Sequence, residues 1–138
     1  MRYEAPLPPL EAVLKPEDIA AAVASAVREK KAYDVVALDM RELVYYTDAF
    51  LLCSARSPRQ VQAVAEEVRR VAKRELGVKI TSVEGLEKGR WVLVDLGAIV
   101  VHVFEEPWRG FYDLDKLWSD APRIMLPEPT EEHSQPFA

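Results

Sequence analysis

Residues 90–104 read RWVLVDLGAIVVHVF, and this stretch decides the fold. It is almost wholly apolar and β-branched, broken once by Asp95-Leu96-Gly97, so it is predicted to form two antiparallel strands joined by a tight turn. Gly97 supplies the positive φ that such a turn needs. With Leu96-Gly97 at the centre of the turn, Asp95 opposes Ala98, Val94 opposes Ile99, Val92 opposes Val101 and Trp91 opposes His102. Leu96 is a poor residue for that place. Alternation sorts the hairpin into two faces. Val92, Val94, Ile99, Val101 and Val103 make a uniform surface suited to packing beneath a helix. Trp91, Leu93, Asp95, Ala98, Val100, His102 and Phe104 make a mixed one. An indole, a carboxylate and an imidazole are seldom buried without partners. Two readings of the mixed face stay open: an internal second layer that satisfies Trp91 and His102, or an exposed face that docks another protein with Trp91 as anchor.

Outward from the hairpin, the pattern alternates helix and strand. Pro16 to Lys31 reads as a helix, with Ile19, Val23 and Val27 four residues apart and Pro16 in the first turn. YDVVALDM (33–40) reads as a strand buried on both faces. AFLLC (49–53) is a second strand. Ser57-Pro58-Arg59-Gln60 starts a helix, with Ser57 as N-cap, Pro58 at the first position and Gln60 closing a capping box. Val61, Val64, Ala65, Val68, Val71, Ala72 and Leu76 give that helix an apolar stripe, and Gly77 ends it as a left-handed cap. VKITSV (78–83) is a third strand, EGLEKG (84–89) a connecting loop, and FYDLDKLW (111–118) a short closing helix. The order α-β-β-α-β-β-β-α predicts a single α/β domain, a mixed sheet of about five strands flanked by helices.

Four of the ten prolines lie in residues 1–16 and four in residues 119–138, which divides the chain into a proline-rich N-terminal extension (1–16), a folded domain (17–118) and a flexible C-terminal tail (119–138). Apolar residues make up 49% of the chain and the net charge is -5, so neither disorder nor a basic nucleic-acid-binding field is expected. The single cysteine, Cys53, excludes an internal disulfide. With no apolar run of about 18 residues and no signal-peptide pattern, a cytoplasmic protein without membrane contact is expected.

Catalysis finds little support. A Cys53–His102 pair would need a proximity the sequence does not show, and an inert buried cysteine is preferred. Asp113 and Asp115 have a metal-like spacing, but i and i+2 side chains on a helix point apart, so solvated charge is preferred. Asp39 and Asp95 at strand ends lack an accompanying glycine-rich phosphate loop. No metal and no cofactor is expected. Arg56, Arg59, Arg69, Arg70, Lys73 and Arg74 read as the wet face of the long helix, interspersed with Glu66, Glu67 and Glu75; the alternative is a patch near phosphate backbone. Thr47 and Asp48 read as a turn leading into a strand, or else as part of a site on the sheet rim. WRGFYDLDKLW (108–118) holds more aromatic residues than an eleven-residue cap needs, and Arg109 and Tyr112 can share a helix face.

The ordered set VVALDM, TDAFLLC followed by SPRQV, VEG, RWVLVDLGAIVVHVF and RGFYDLDKLW resembles the ribosomal silencing factor (Iojap-like) family over residues 17–118. Departures are Ser54-Ala55 where the family usually has threonine-glycine, Ala98 where aspartate is common, and Asp115 where glutamate is usual. The resemblance implies a nucleotidyltransferase-like fold without transfer activity. It implies binding to the large ribosomal subunit through ribosomal protein uL14, a steric block to subunit joining that represses translation when nutrients are short, a link to large-subunit maturation, and homodimers off the ribosome. A nearby rRNA contact is expected with that location. By position, the residues expected to contact partners are Trp91, Asp95, Gly97, His102, Arg109, Tyr112 and Trp118, with Thr47 and Asp48. The alternative is a nucleotidyltransferase-like enzyme or nucleotide-binding protein, for which strand-end carboxylates would hold the metal.

Overall fold

A six-stranded sheet in the order β3-β4-β5-β2-β1-β6 organises the chain. The structure, a computed structural model, describes residues 14–129. Chain order is α1 (Pro16–Glu29), β1 (Tyr33–Asp39), β2 (Ala49–Ala55), α2 (Pro58–Arg70), β3 (Ser82–Glu84), β4 (Trp91–Asp95), β5 (Ile99–Glu105), α3 (Glu106–Tyr112), α4 (Leu114–Leu117) and β6 (Arg123–Ile124). β2 and β5 run parallel while the other neighbours are antiparallel, so the sheet is mixed as expected.

The two faces of the hairpin are those that alternation separates. Val92, Val94, Ile99, Val101 and Val103 are fully buried beneath α1 and α2, which contribute Val23, Val27, Val61, Val64 and Val68. The register differs from the expected one. Val94 pairs with Val101, Val92 with Val103, Leu93 with His102 and Trp91 with Phe104. Leu96 N–H donates to Ile99 O at 2.9 Å, so the turn centres on Gly97-Ala98 and not on Leu96-Gly97. The physical reason is Leu96 itself: it is apolar, 4% exposed, and stays with the core, while Gly97 (φ 85°) takes the turn position that needs positive φ. Sliding the turn by one residue shifts pairing by two, which preserves both faces.

Ser57 Oγ accepts from Gln60 N–H at 3.1 Å, as an N-cap should. Gln60 does not close the box on Ser57: its Oε1 accepts from Arg56 N–H and its Nε2 donates to Lys30 O, which ties the start of α2 to the end of α1. α2 continues as a π-helical segment, Val71–Leu76, before Gly77 caps it at φ 63°.

Four further expectations are corrected. β1 is only partly buried, because its outer neighbour β6 pairs with just Ala37 and Leu38. Residues 78–81 are not strand; β3 is limited to Ser82–Glu84, and Thr81 N–H reaches Asp95 O alone. The closing segment is two helices, broken at Asp113 (φ 53°). The folded part also passes Trp118: β6 adds a sixth strand and Ala121 is buried. A two-residue strand among prolines carries no periodicity from which to read it. The N-terminal extension up to residue 13 and the tail from residue 130 lie outside the described residues.

Candidate docking face

The mixed face is half closed. α3, α4 and the segment around Ala121 lie on it, packing Trp108, Leu114 and Trp118 with Leu38, Met40, Phe50, Leu52, Val100 and Phe104. At its centre Trp91 Nε1–H donates to His102 Nδ1 at 3.1 Å. The internal layer therefore satisfies the Trp91 N–H and one of the two His102 nitrogens. Burial pushes the His102 imidazole down to about 4, so it is neutral, and since Nδ1 accepts, the proton sits on Nε2. Nε2 is buried without a hydrogen-bond partner.

Around that pair the rings touch in sequence. Tyr45 meets Tyr46 (centroids 6.1 Å apart), Tyr46 meets Phe50 (6.3 Å), Phe50 meets His102 (4.6 Å), His102 meets Trp91 (6.0 Å), Trp91 meets Tyr112 (4.5 Å) and Tyr112 meets Phe111 (5.1 Å). In this series Phe50 and His102 are buried and Trp91 is half-buried, while Tyr45 is 99% exposed, Tyr46 56%, Phe111 72% and Tyr112 44%. Beside Trp91 and Tyr112 lies an open cleft of about 450 Å³, bordered also by Gly85, Lys88 and Arg90. Gly85 is required there, because a Cβ would stand 2.1 Å from the Trp91 carbonyl oxygen.

The other expected residues are placed differently. Arg109 does not share the exposed face of Tyr112. Its side chain is 12% exposed, and the guanidinium turns inward to Asp115 (2.9 and 3.1 Å), Ser54 Oγ (3.0 Å) and Asp34 O (2.6 Å). Asp115 is thus ion-paired and Asp113 caps α4 through Lys116 N–H, so neither is simply a solvated charge. Trp118 packs edge-on against Phe50. Thr47, Asp48, Asp95 and Gly97 gather at the hairpin-turn rim. There Thr47 Oγ1 donates to Gly97 O at 2.8 Å, Asp48 N–H donates to Ala98 O, and Asp95 Oδ1 accepts from Gly97 N–H. These contacts fasten a turn, in line with the structural reading of Thr47 and Asp48.

Cys53 is fully buried among the residues under α1 and α2, whereas His102 belongs to the opposite face, so the two cannot act as a pair. No group of three or more histidine, cysteine or acidic side chains suited to a metal occurs among the described residues. Asp39 is held by Arg41, at 2.8 and 3.0 Å. The cations of α2 are largely paired with their own helix, Arg69 with Glu66 and Arg70 with Glu67. No helix among the described residues is long and apolar enough to cross a membrane.

A family model described as "Ribosomal silencing factor during starvation" matches residues 13–137. The chain belongs to the ribosomal silencing factor family. It is 50% identical over 102 residues to ribosomal silencing factor RsfS of Halalkalibacterium halodurans, covering 74% of this chain and 86% of that one. To RsfS of Bacillus subtilis it is 47% identical over 103 residues, covering 75% and 86%. A crystal structure of a Chromobacterium violaceum protein is similar at a TM-score of 0.74 and 32% identity, over 91% of this chain and 100% of that one.

In this silencing-factor chain the ring series includes residues that pattern reading did not single out. Tyr45 and Tyr46 precede Thr47-Asp48 in sequence, and two adjacent tyrosines outside any periodic run were the available signal. Phe111 belongs to a segment dense in aromatic residues, but which of its rings faces outward depends on the break at Asp113.

Proposed function

We propose that this chain represses translation by binding the large ribosomal subunit through ribosomal protein uL14 and blocking the approach of the small subunit. The observation that carries the docking surface is the ring series, with Tyr45, Tyr46, Phe111 and Tyr112 exposed around a packed centre. Exposed aromatic and aliphatic side chains grouped over a rigid base are how interface hot spots are built. Trp91 anchors the face from half-burial, Tyr112 and Tyr46 form its accessible rim, and His102 acts beneath it without touching the partner. Blocking is steric and needs no chemistry. The family names support regulation, and Cys53 and His102 lie on opposite faces of the sheet.

Off the ribosome the same face joins a second copy, since it groups exposed Tyr45, Tyr46, Phe111 and Tyr112 among the described residues. The protein acts in the cytoplasm and accompanies large-subunit maturation, with rRNA beside the uL14 contact. Co-sedimentation with purified subunits through sucrose gradients tests the proposal. The chain is expected to travel with large subunits and to reduce the yield of joined ribosomes. Migration with neither subunit, or undiminished joining, sinks it.

A further inference from the structure

We infer that Arg109 is a positioning residue for the docking face: it latches the α3–α4 corner to the sheet and so sets where Tyr112 and Phe111 stand. The inference rests on the docking reading above, and it assigns Arg109, Asp115 and Ser54 a role that involves no contact with the partner.

Packing of Trp108, Leu114 and Trp118 and the hydrogen bond from Tyr33 Oη–H to Glu106 (2.6 Å) seat the corner on the sheet, and Arg109 adds the tie across its break. α3 has seven residues and α4 four, and neither contains a buried residue. Helices this short do not persist alone. Asp113 (φ 53°) interrupts the helix between them, so continuous backbone hydrogen bonding does not set their angle. Arg109 spans the break. From α3 it grips Asp115 of α4 with two hydrogen bonds, at 2.9 and 3.1 Å, the fork geometry in which guanidinium and carboxylate fix each other's orientation. Its Nη1 donates to Ser54 Oγ of β2 and to the carbonyl of Asp34, at the bulge of β1 where Asp34 has φ 51°. One side chain thus joins two helices to two strands. Arg109 precedes Tyr112 by three residues, and Tyr112 is the ring that closes on Trp91. Arg109 holds the Asp115 carboxyl below the usual range, so the pair is ionised at neutral pH.

The test is a binding cycle with purified large ribosomal subunits, using Asp115→Asn, Tyr112→Ala, the double variant and Asp115→Glu in the full chain. Asp115→Asn is expected to weaken binding about tenfold. The double variant should bind no more than about twofold worse than Tyr112→Ala alone, because both substitutions remove the same correctly placed ring. Asp115→Glu, which restores the fork, should bind within about threefold of wild type. Amide exchange in residues 106–117 should rise in Asp115→Asn while that of β2 and β5 does not; if Asp115→Asn fails to fold, Ser54→Ala, which removes one strand of the latch, takes its place in the cycle. Wild-type binding by Asp115→Asn, or by Ser54→Ala where it stands in, overturns the latch. So does full multiplication of the two losses in the double variant. If Tyr112→Ala binds as wild type, the docking face itself is wrong and the latch falls with it, whereas loss in Tyr112→Ala beside full binding in the latch variant removes the latch alone.

Discussion

Trp91 Nε1–H donates to His102 Nδ1 across the sheet face at 3.1 Å, and this bond determines the state of the imidazole. An acceptor at Nδ1 requires a neutral ring protonated at Nε2, and burial holds the ring to about 4, below its ordinary 6.5. In the unfolded chain the imidazole takes up its proton near the ordinary value. Between the two values the unfolded state therefore binds more protons, so stability falls as pH drops from about 6.5 toward 4 and is unaffected by His102 above that window. Nitrogen NMR of labelled histidine should show the Nε2–H tautomer at pH 7, and urea midpoints should decline over that pH range. A His102 resonance titrating near 6.5 in the folded protein would contradict the buried pair.

Cys53 is expected to be inert. It is wholly buried in the core beneath α1 and α2, and burial pushes its thiol up to about 12. Thiolate is the reactive form, so the native protein should resist a thiol-specific disulfide reagent for hours at pH 8 and react at once in urea. Prompt reaction in native buffer would show that the core opens there.

The degree to which this architecture could be read from residues follows from how local each determinant is. The hairpin faces were legible because alternation is a property of consecutive residues, and it survived a turn placed one residue away. The slip itself lay in Leu96: burying a leucine outweighs the polar habit of turn positions. The Trp91–His102 pair was legible as an alternative, since both lie on one face, although the register places it on a diagonal, with Trp91 opposite Phe104 and Leu93 opposite His102. The inward turn of Arg109 has no local signature, because two of its partners are created by tertiary geometry. The Asp34 carbonyl is turned by a bulge, and Ser54 arrives on a strand distant in sequence. The π-helical turn at Val71–Leu76 continues the apolar stripe of α2 and leaves no mark in the pattern.

Two glycines with the same φ of 85° should respond differently to alanine. At Gly97 an added Cβ meets nothing within 4 Å, so the substitution is expected to cost only the strain of a left-handed residue, about 1 kcal/mol. At Gly85 the Cβ would stand 2.1 Å from the Trp91 carbonyl oxygen, so loop or strand must move as well. Gly85→Ala is expected to cost about 3 kcal/mol or more in chemical denaturation. Equal losses at the two sites would mean that the loop at 84–89 yields freely.

Trp91 contributes a ring surface and an N–H, and substitution can separate the two. The ring stacks on Phe104 at 5.2 Å and meets Tyr112 at 4.5 Å, while the N–H serves His102. Trp91→Phe keeps an aromatic surface for the docking face but leaves His102 Nδ1 buried without a donor, a loss of about 1–3 kcal/mol in stability. Its binding to large subunits, measured well below the unfolding midpoint, should change less than about threefold, because the partner meets ring surface and not the buried N–H. Trp91→Ala removes both, and also the surface on which Tyr112 rests. It should weaken binding by about 2 kcal/mol or more, roughly thirtyfold. The informative comparison is thus between binding and stability within each variant. If Trp91→Phe binds as poorly as Trp91→Ala while remaining folded, then the hydrogen-bonded pair, and not the aromatic surface, carries recognition, and the partner must reach His102 by displacing the rings that cover it.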